Sequence, residues 1–196
     1  MTAHTADIDG PIVIADRDRI GVGRSAASLL EYDLTVIASD AEDVVRAAGG
    51  WLCDRVLAGW KVGMFTAATA APAAAGVLGV RLLPADTDLI ALVRSTSAAL
   101  AISAEFLDAN EALRAEVLRA VDRSGLELTV WGTMPAGALA GRLAINRHRL
   151  SGAARAFKSH ALAASGSSCT SAGLAEEFRS CGSWYPPEGP DLTPVS

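Results

Sequence analysis

Apolar residues at Leu34, Val36 and Ile37 form a short β-favouring run, which predicts a strand buried on both faces. Ser39 ends it, and Ser39-x-x-Glu42 has the spacing of a capping box, in which hydroxyl and carboxylate satisfy each other's backbone N–H groups. Asp40 and Asp43 add negative charge beside the positive end of the helix that follows. Within that helix Val44, Val45, Ala48, Trp51, Leu52, Val56 and Leu57 recur at steps of three and four. One face is therefore expected to be buried, with Arg46, Asp54 and Arg55 turned away. Gly59 stops the helix and Lys61 to Thr66 resumes as a strand, so the unit predicts a right-handed parallel crossover.

The remaining pattern continues the alternation. Pro11 to Ala15 predicts an edge strand, Asp16 to Ser25 a charged glycine-containing loop, and Ala26 to Tyr32 a helical turn. Ala67 to Gly76 reads as an Ala-rich connection broken by Pro72, and Arg81 to Leu83 as a short strand. One of Asp86, Thr87 and Asp88 is expected to cap a helix reaching Thr96, and Ala99 to Ser103 as the next buried strand. Asn110 to Ser124 is strongly amphipathic: Leu113, Val117, Leu118 and Val121 form the stripe, while Glu111, Arg114, Glu116, Arg119 and Arg123 occupy solvated faces. Gly125 closes it, Leu126 to Trp131 is a strand, and Pro135 opens a helical stretch reaching Ala164 with a break near Gly152.

Together these predict an α/β fold: a single Rossmann-like or P-loop-like three-layer domain with a mostly parallel sheet of about five strands. The expected organisation is a disordered lead over residues 1–10, a domain over 11–164, and a Ser/Gly/Pro-rich disordered tail over 165–196.

Composition narrows the picture without naming a chemistry. Among 196 residues, 51% are hydrophobic, which excludes global disorder, and a net charge of −5 excludes general polyanion binding by the whole molecule. Cys53, Cys169 and Cys181 are too widely spaced for a metal knuckle and are expected as reduced thiols in a cytosol, Cys53 as a core residue. The polar, acidic opening MTAHTADIDG argues against a signal peptide. Val62 to Val80 runs 19 residues without a charge, but Ala, Gly and Thr dominate and Pro72 interrupts, so no membrane span is expected.

In sheets of this kind a site lies beyond the carboxyl ends of the strands. The loop after Ala15 sets Gly21, Gly23, Arg24 and Ser25 against the phosphate-binding pattern G-x-x-x-x-G-K-[ST]; Arg24 stands where Lys is required and Asp18 where the first Gly is. It reads as a degenerate phosphate loop. Asp40, Glu42 and Asp43 oppose an anion at the next helix N-terminus. Glu105 and Asp108 follow the strand ending at Ser103 with no partner acid or His to complete a metal or catalytic set, and none of His4, His148 and His160 adjoins a nucleophile. No catalytic residue, metal or cofactor is assigned.

Charge is uneven along the chain. Arg142, Arg147, Arg149, Arg155 and Lys158 lie in a stretch from Leu128 to Ala175 without an acid, predicting a basic helix on an acidic body. These five residues are the candidate partner-binding surface, with a protein as the expected partner and nucleic acid as the alternative. Trp184-Tyr185-Pro186-Pro187 offers a short recognition element.

The phrases DLTVIASDAEDVVRAAGGWLCDRVLAGW, ELTVWG and HRLSGAARAFKSHAL resemble an uncharacterised actinobacterial, mycobacterial-type protein family. The element order and the decayed phosphate loop are similar to the RecA-like accessory proteins of translesion polymerases. The first resemblance transfers no catalytic residue. The expectation is a non-catalytic cytosolic α/β protein acting through protein contacts, with a degenerate RecA-like module in DNA repair as the alternative.

Overall fold

A computed structural model describes residues 32–68, 70–124, 126–133, 137–168, 171–181 and 193–194, all within the compact unit spanning Glu31–Ser196. The expected strand at Pro11, the phosphate-loop residues Gly21, Gly23, Arg24 and Ser25, and Trp184 lie outside the described residues.

The opening unit forms as β1 (Asp33–Ala38), α1 (Ala41–Leu57) and β2 (Lys61–Thr66). The cap sits one residue later than the Ser39 pattern suggests. Asp40 adopts φ −144° and its carboxylate accepts Asp43 N–H at 2.8 Å. Ser39 instead follows the end of β1, its carbonyl accepting Ala68 N–H at 2.7 Å, which ties the tip of β1 to the loop after β2. Pro72 does not break a connection: it occupies the first turn of α2 (Pro72–Leu78), where its missing N–H has no helical partner to lose. Then follow β3 (Arg81–Leu82), α3 (Leu89–Ser95) capped by Asp88, β4 (Ala99–Ser103), α4 (Ala104–Ala109), α5 (Glu111–Ser124) and β5 (Glu127–Trp131).

Of the predicted helical stretch after Pro135, the part beyond the break forms as α6 (Gly152–Ala164), capped by Ser151, while the part before it is a 3-10 turn (Gly137–Arg142) and strand β6 (Ala144–Arg149). Strand period is present in β6, but its inward positions carry Asn146 and His148 while Ile145 faces out, so hydrophobicity does not reveal it. The same applies to β7 (Ala175–Cys181), a strand inside the expected tail, whose inward side chains are Glu176, Phe178 and Ser180. A two-residue β8 (Thr193–Pro194) completes the sheet.

Strand order is β3-β2-β1-β4-β5-β7-β6-β8. The first five are parallel, as expected; β7, β6 and β8 add an antiparallel half. Helices α1, α2 and α6 pack on one face around Trp51, Leu52 and Phe178, and α3, α4 and α5 on the other around Phe106, Leu113 and Val117. The uncharged run from Val62 to Val80 is divided between β2 and α2, and no helix among the described residues is long and apolar enough to cross a membrane.

Candidate functional site

Chain order reverses between β1 and β4: β2 and β3 build outward on one side and β5 on the other. A crevice beyond the carboxyl ends of β1, β4 and β5 is therefore where the topology leaves room for a ligand. At the tip of β1, Asp40 and Glu42 line a cavity of about 270 Å³ with Ala68, Ala71 and Ser165. One turn along α1, Asp43 receives Trp131 Nε1–H at 2.8 Å and the Arg46 guanidinium at 3.1 Å, joining α1 to the end of β5.

At the tip of β4, Ser103 caps α4 and donates its hydroxyl to Glu105 Oε2 at 3.1 Å. Glu105 Oε1 accepts Thr133 N–H at 3.1 Å. Partial burial pushes the Glu105 carboxyl up, but the hydrogen bonds from Thr133, its own backbone and Ser103 outweigh that and hold it below the usual carboxylate range. Gly132, between Trp131 and Thr133, has φ +92°, and a Cβ there would lie 2.5 Å from Glu105 Oε2. The carboxylate thus occupies the space that only glycine leaves open.

The tip of β1 is acidic, with Asp40 and Glu42 on the wall of its cavity, and Glu105 adds a carboxylate at the tip of β4. The α1 N–H that an anion would use is taken by Asp40, so phosphate is disfavoured as the sequence suggested. Asp108 is engaged elsewhere, 3.6 Å from Arg114. Among the described residues no group of three or more His, Cys, Asp or Glu could hold a metal ion. Cys53 and Cys181 are free, and burial, as the largest influence, raises both thiols.

The five basic candidates do not share one helix. Arg142 lies on the 3-10 turn and pairs with Asp122; Arg147 and Arg149 point outward from β6, where Arg147 pairs with Glu177; Arg155 is exposed on α6. Lys158 is 5% exposed and pairs with Glu176 of β7 at 2.5 Å. Sequence reading missed this pair, although Ala154, Lys158, Ala161 and Leu162 have the helical spacing of a buried stripe. It also missed Arg55, buried against Glu127 at 3.0 Å with its guanidinium 4.0 Å from the Trp60 ring centroid, and Glu116, whose 1% exposed side chain gathers Arg94, Arg119 and Arg123. His148 is likewise structural, with Nε2 2.8 Å from Asp54. A further cavity of about 540 Å³ lies at the amino ends of β1 and β2, lined by Lys61, Gly63, Arg81 and Thr96, away from the switch point.

No protein-family model and no curated protein matches the sequence. Solved structures do match in fold. A deacetylase–teicoplanin complex from teicoplanin biosynthesis aligns with TM-score 0.53 at 15% identity, covering 78% of this chain and 99% of that one. The zinc-inhibited form of teicoplanin deacetylase aligns at 0.52 and 15%, covering 76% and 97%. The A40926 pseudoaglycone deacetylase aligns at 0.50 and 18%, covering 74% and 95%.

These likenesses are of fold, and they correct the sequence reading. The fold is shared with deacetylases; it is neither that of RecA-like accessory proteins nor peculiar to an actinobacterial family, and a P-loop origin is set aside. It is a fold carried by enzymes, which overturns the expectation of a purely non-catalytic adaptor. Zinc is named with one of the matching structures, and the acids at the β1 tip do not form a metal-holding set with other described residues.

Proposed function

We propose that this protein is an enzyme that removes the acyl group from an N-acylated, uncharged small molecule of the amino-sugar or glycoside type, in the crevice beyond β1, β4 and β5. The observation that carries the reading is the carboxylates at the tips of β1 and β4, the two strands of the switch point, in a fold shared with a deacetylase of teicoplanin biosynthesis and the A40926 pseudoaglycone deacetylase. In such a hydrolysis the C–N bond of the amide breaks, a C–O bond from water forms, and the departing amine takes up a proton. Positive charge grows on that nitrogen, and carboxylates placed beforehand around it favour the charged product over the neutral amide. The same charges disfavour phosphorylated substrates.

Glu105 has two roles: it keeps a negative charge at the tip of β4 and holds the Gly132–Thr133 turn through Thr133 N–H. Asp43 holds the Trp131 indole against α1. No step is routed through a metal, because the described residues provide no set to hold one.

The test is calorimetric titration of the full chain with N-acetylglucosamine, glucosamine and glucosamine 6-phosphate, together with amine release from N-acyl amines. We expect saturable binding of the first two, binding of the phosphate at least tenfold weaker, and amine release that falls about tenfold or more in Glu105→Gln. Tighter binding of the phosphate, or neither binding nor amine release across the N-acyl series, overturns the reading.

A further inference from the structure

On the face of the sheet that carries α3, α4 and α5, side chains change character along each strand. β1 presents Asp33 and Thr35 before Ile37, β2 presents Lys61 and Gly63 before Phe65, and Arg81 of β3 precedes Leu83. Register pairs Asp33 with Lys61, Thr35 with Gly63, and Gly63 with Arg81, so these residues form one polar floor at the amino ends of the strands. Leu92 and Ser95 of α3, with Thr96 after it, wall this floor, and the cavity of about 540 Å³ lies between them.

The hydroxyl protons of the wall are already spent. Ser95 Oγ and Thr96 Oγ1 both donate to Leu92 O at 2.9 Å, so Thr35 Oγ1 is the donor in its 3.1 Å bond to Thr96 Oγ1. Charge on a ligand must therefore be answered by the floor. Asp33 and Lys61 face each other across one strand spacing, and their opposite charges offset. Arg81 is the cation left over: it is exposed, and among the described residues no side chain pairs with its guanidinium. A Cβ at Gly63 would stand 3.4 Å from Leu83 Cδ2 and 3.7 Å from Arg81 Nη2, so an aliphatic side chain and a guanidinium meet above the same glycine.

That juxtaposition suits an amphiphilic anion of single charge. A guanidinium fork matches a planar carboxylate through two parallel N–H···O bonds, and Leu83 and Leu92 give apolar surface for a short chain. A phosphate monoester carries more than one negative charge at neutral pH, more than Arg81 offsets, and would face Asp33. An ammonium would face Arg81 itself. We propose that this cavity is a second ligand site, which binds a small aliphatic monocarboxylate with its carboxylate on Arg81 and its chain against Leu83 and Leu92. Hydrolysis of an amide releases the acyl group as a carboxylate, so the reaction proposed above supplies a ligand of this class, but the assignment does not rest on that reaction.

The experiment follows the Thr35 backbone N–H resonance of the full chain, at neutral pH and constant ionic strength, during titration with butyrate, butylamine and methyl phosphate. The expected result is a saturable shift with butyrate and a response about tenfold or more weaker with the other two. Arg81→Gln, a change at an exposed side chain, weakens the butyrate response about tenfold or more. Gly63→Val, which fills the floor without changing charge, does the same. Absence of a saturable shift with butyrate, a response to methyl phosphate or butylamine as strong as that to butyrate, or a butyrate shift undiminished in whichever of these variants folds, overturns the inference.

Discussion

Single residues at the strand tips have assignments that can be measured. Because Glu105 is held below the usual carboxylate range, its ionised form stabilises the folded protein above that range, and the contribution is lost as pH falls through the lowered folded-state value. Glu105→Gln should therefore flatten part of the acid-side fall in melting temperature. At neutral pH it should cost only about 1 kcal/mol, since the side chain is exposed and its charge-assisted bonds are screened. Thermal melts from pH 3 to 7 check this. Gly50 is a second case: a Cβ there would lie 2.5 Å from both Leu150 methyl carbons. Gly50→Ala should destabilise by about 1–3 kcal/mol despite the helix preference for Ala. Leu150→Val in the same chain should recover part of that loss in denaturant unfolding.

At the scale of elements, α1 is unusual because an ion pair from two other elements enters its backbone. Glu176 takes the N–H groups of Gly50 and Trp51, and Lys158 takes the carbonyl of Arg46, groups that would otherwise serve the helix itself. Lys158→Met should cost about 3–5 kcal/mol, the range for breaking a buried pair. Replacing both partners with apolar residues should fail to restore stability here, because the main-chain groups they serve would be left without their partners. Chemical denaturation of the single and double variants separates these outcomes. The strand-helix-strand unit was legible because its apolar periods are clean. β6 and β7 were not, because their inward positions carry Asn146, His148, Glu176 and Ser180. Polar residues satisfied by partners far along the chain defeat a reading based on hydrophobic period. For the same reason Lys158 looked like part of a basic surface, and the acids after β1 and β4 could not be placed at neighbouring strand tips without the sheet order.

For the whole molecule, the parallel half of the sheet carries the switch point, and the antiparallel half supplies Glu176, the partner of Lys158 on α6. The likeness to deacetylases enters at this scale only, through the arrangement of elements. Ending the chain after Leu174 would remove the strand that lies between β5 and β6. Such a truncation should lose cooperative unfolding by circular dichroism and aggregate in sedimentation, whereas ending it after Cys181 should retain a cooperative transition.

The position of β7 also sets an order of assembly. β5 and β6 are made first, yet they never pair with each other; each waits for a strand synthesised after α6. Until residue 181 has emerged, the edges of β5 and β6 that face β7 stay unpaired, and the strand that joins them arrives only after α6 has been made. The slow step of folding is thereby placed late in synthesis. A chaperone that shields β-edges should raise the yield of this protein more than one that shields only apolar helices, as recovery of monomer after refolding would show.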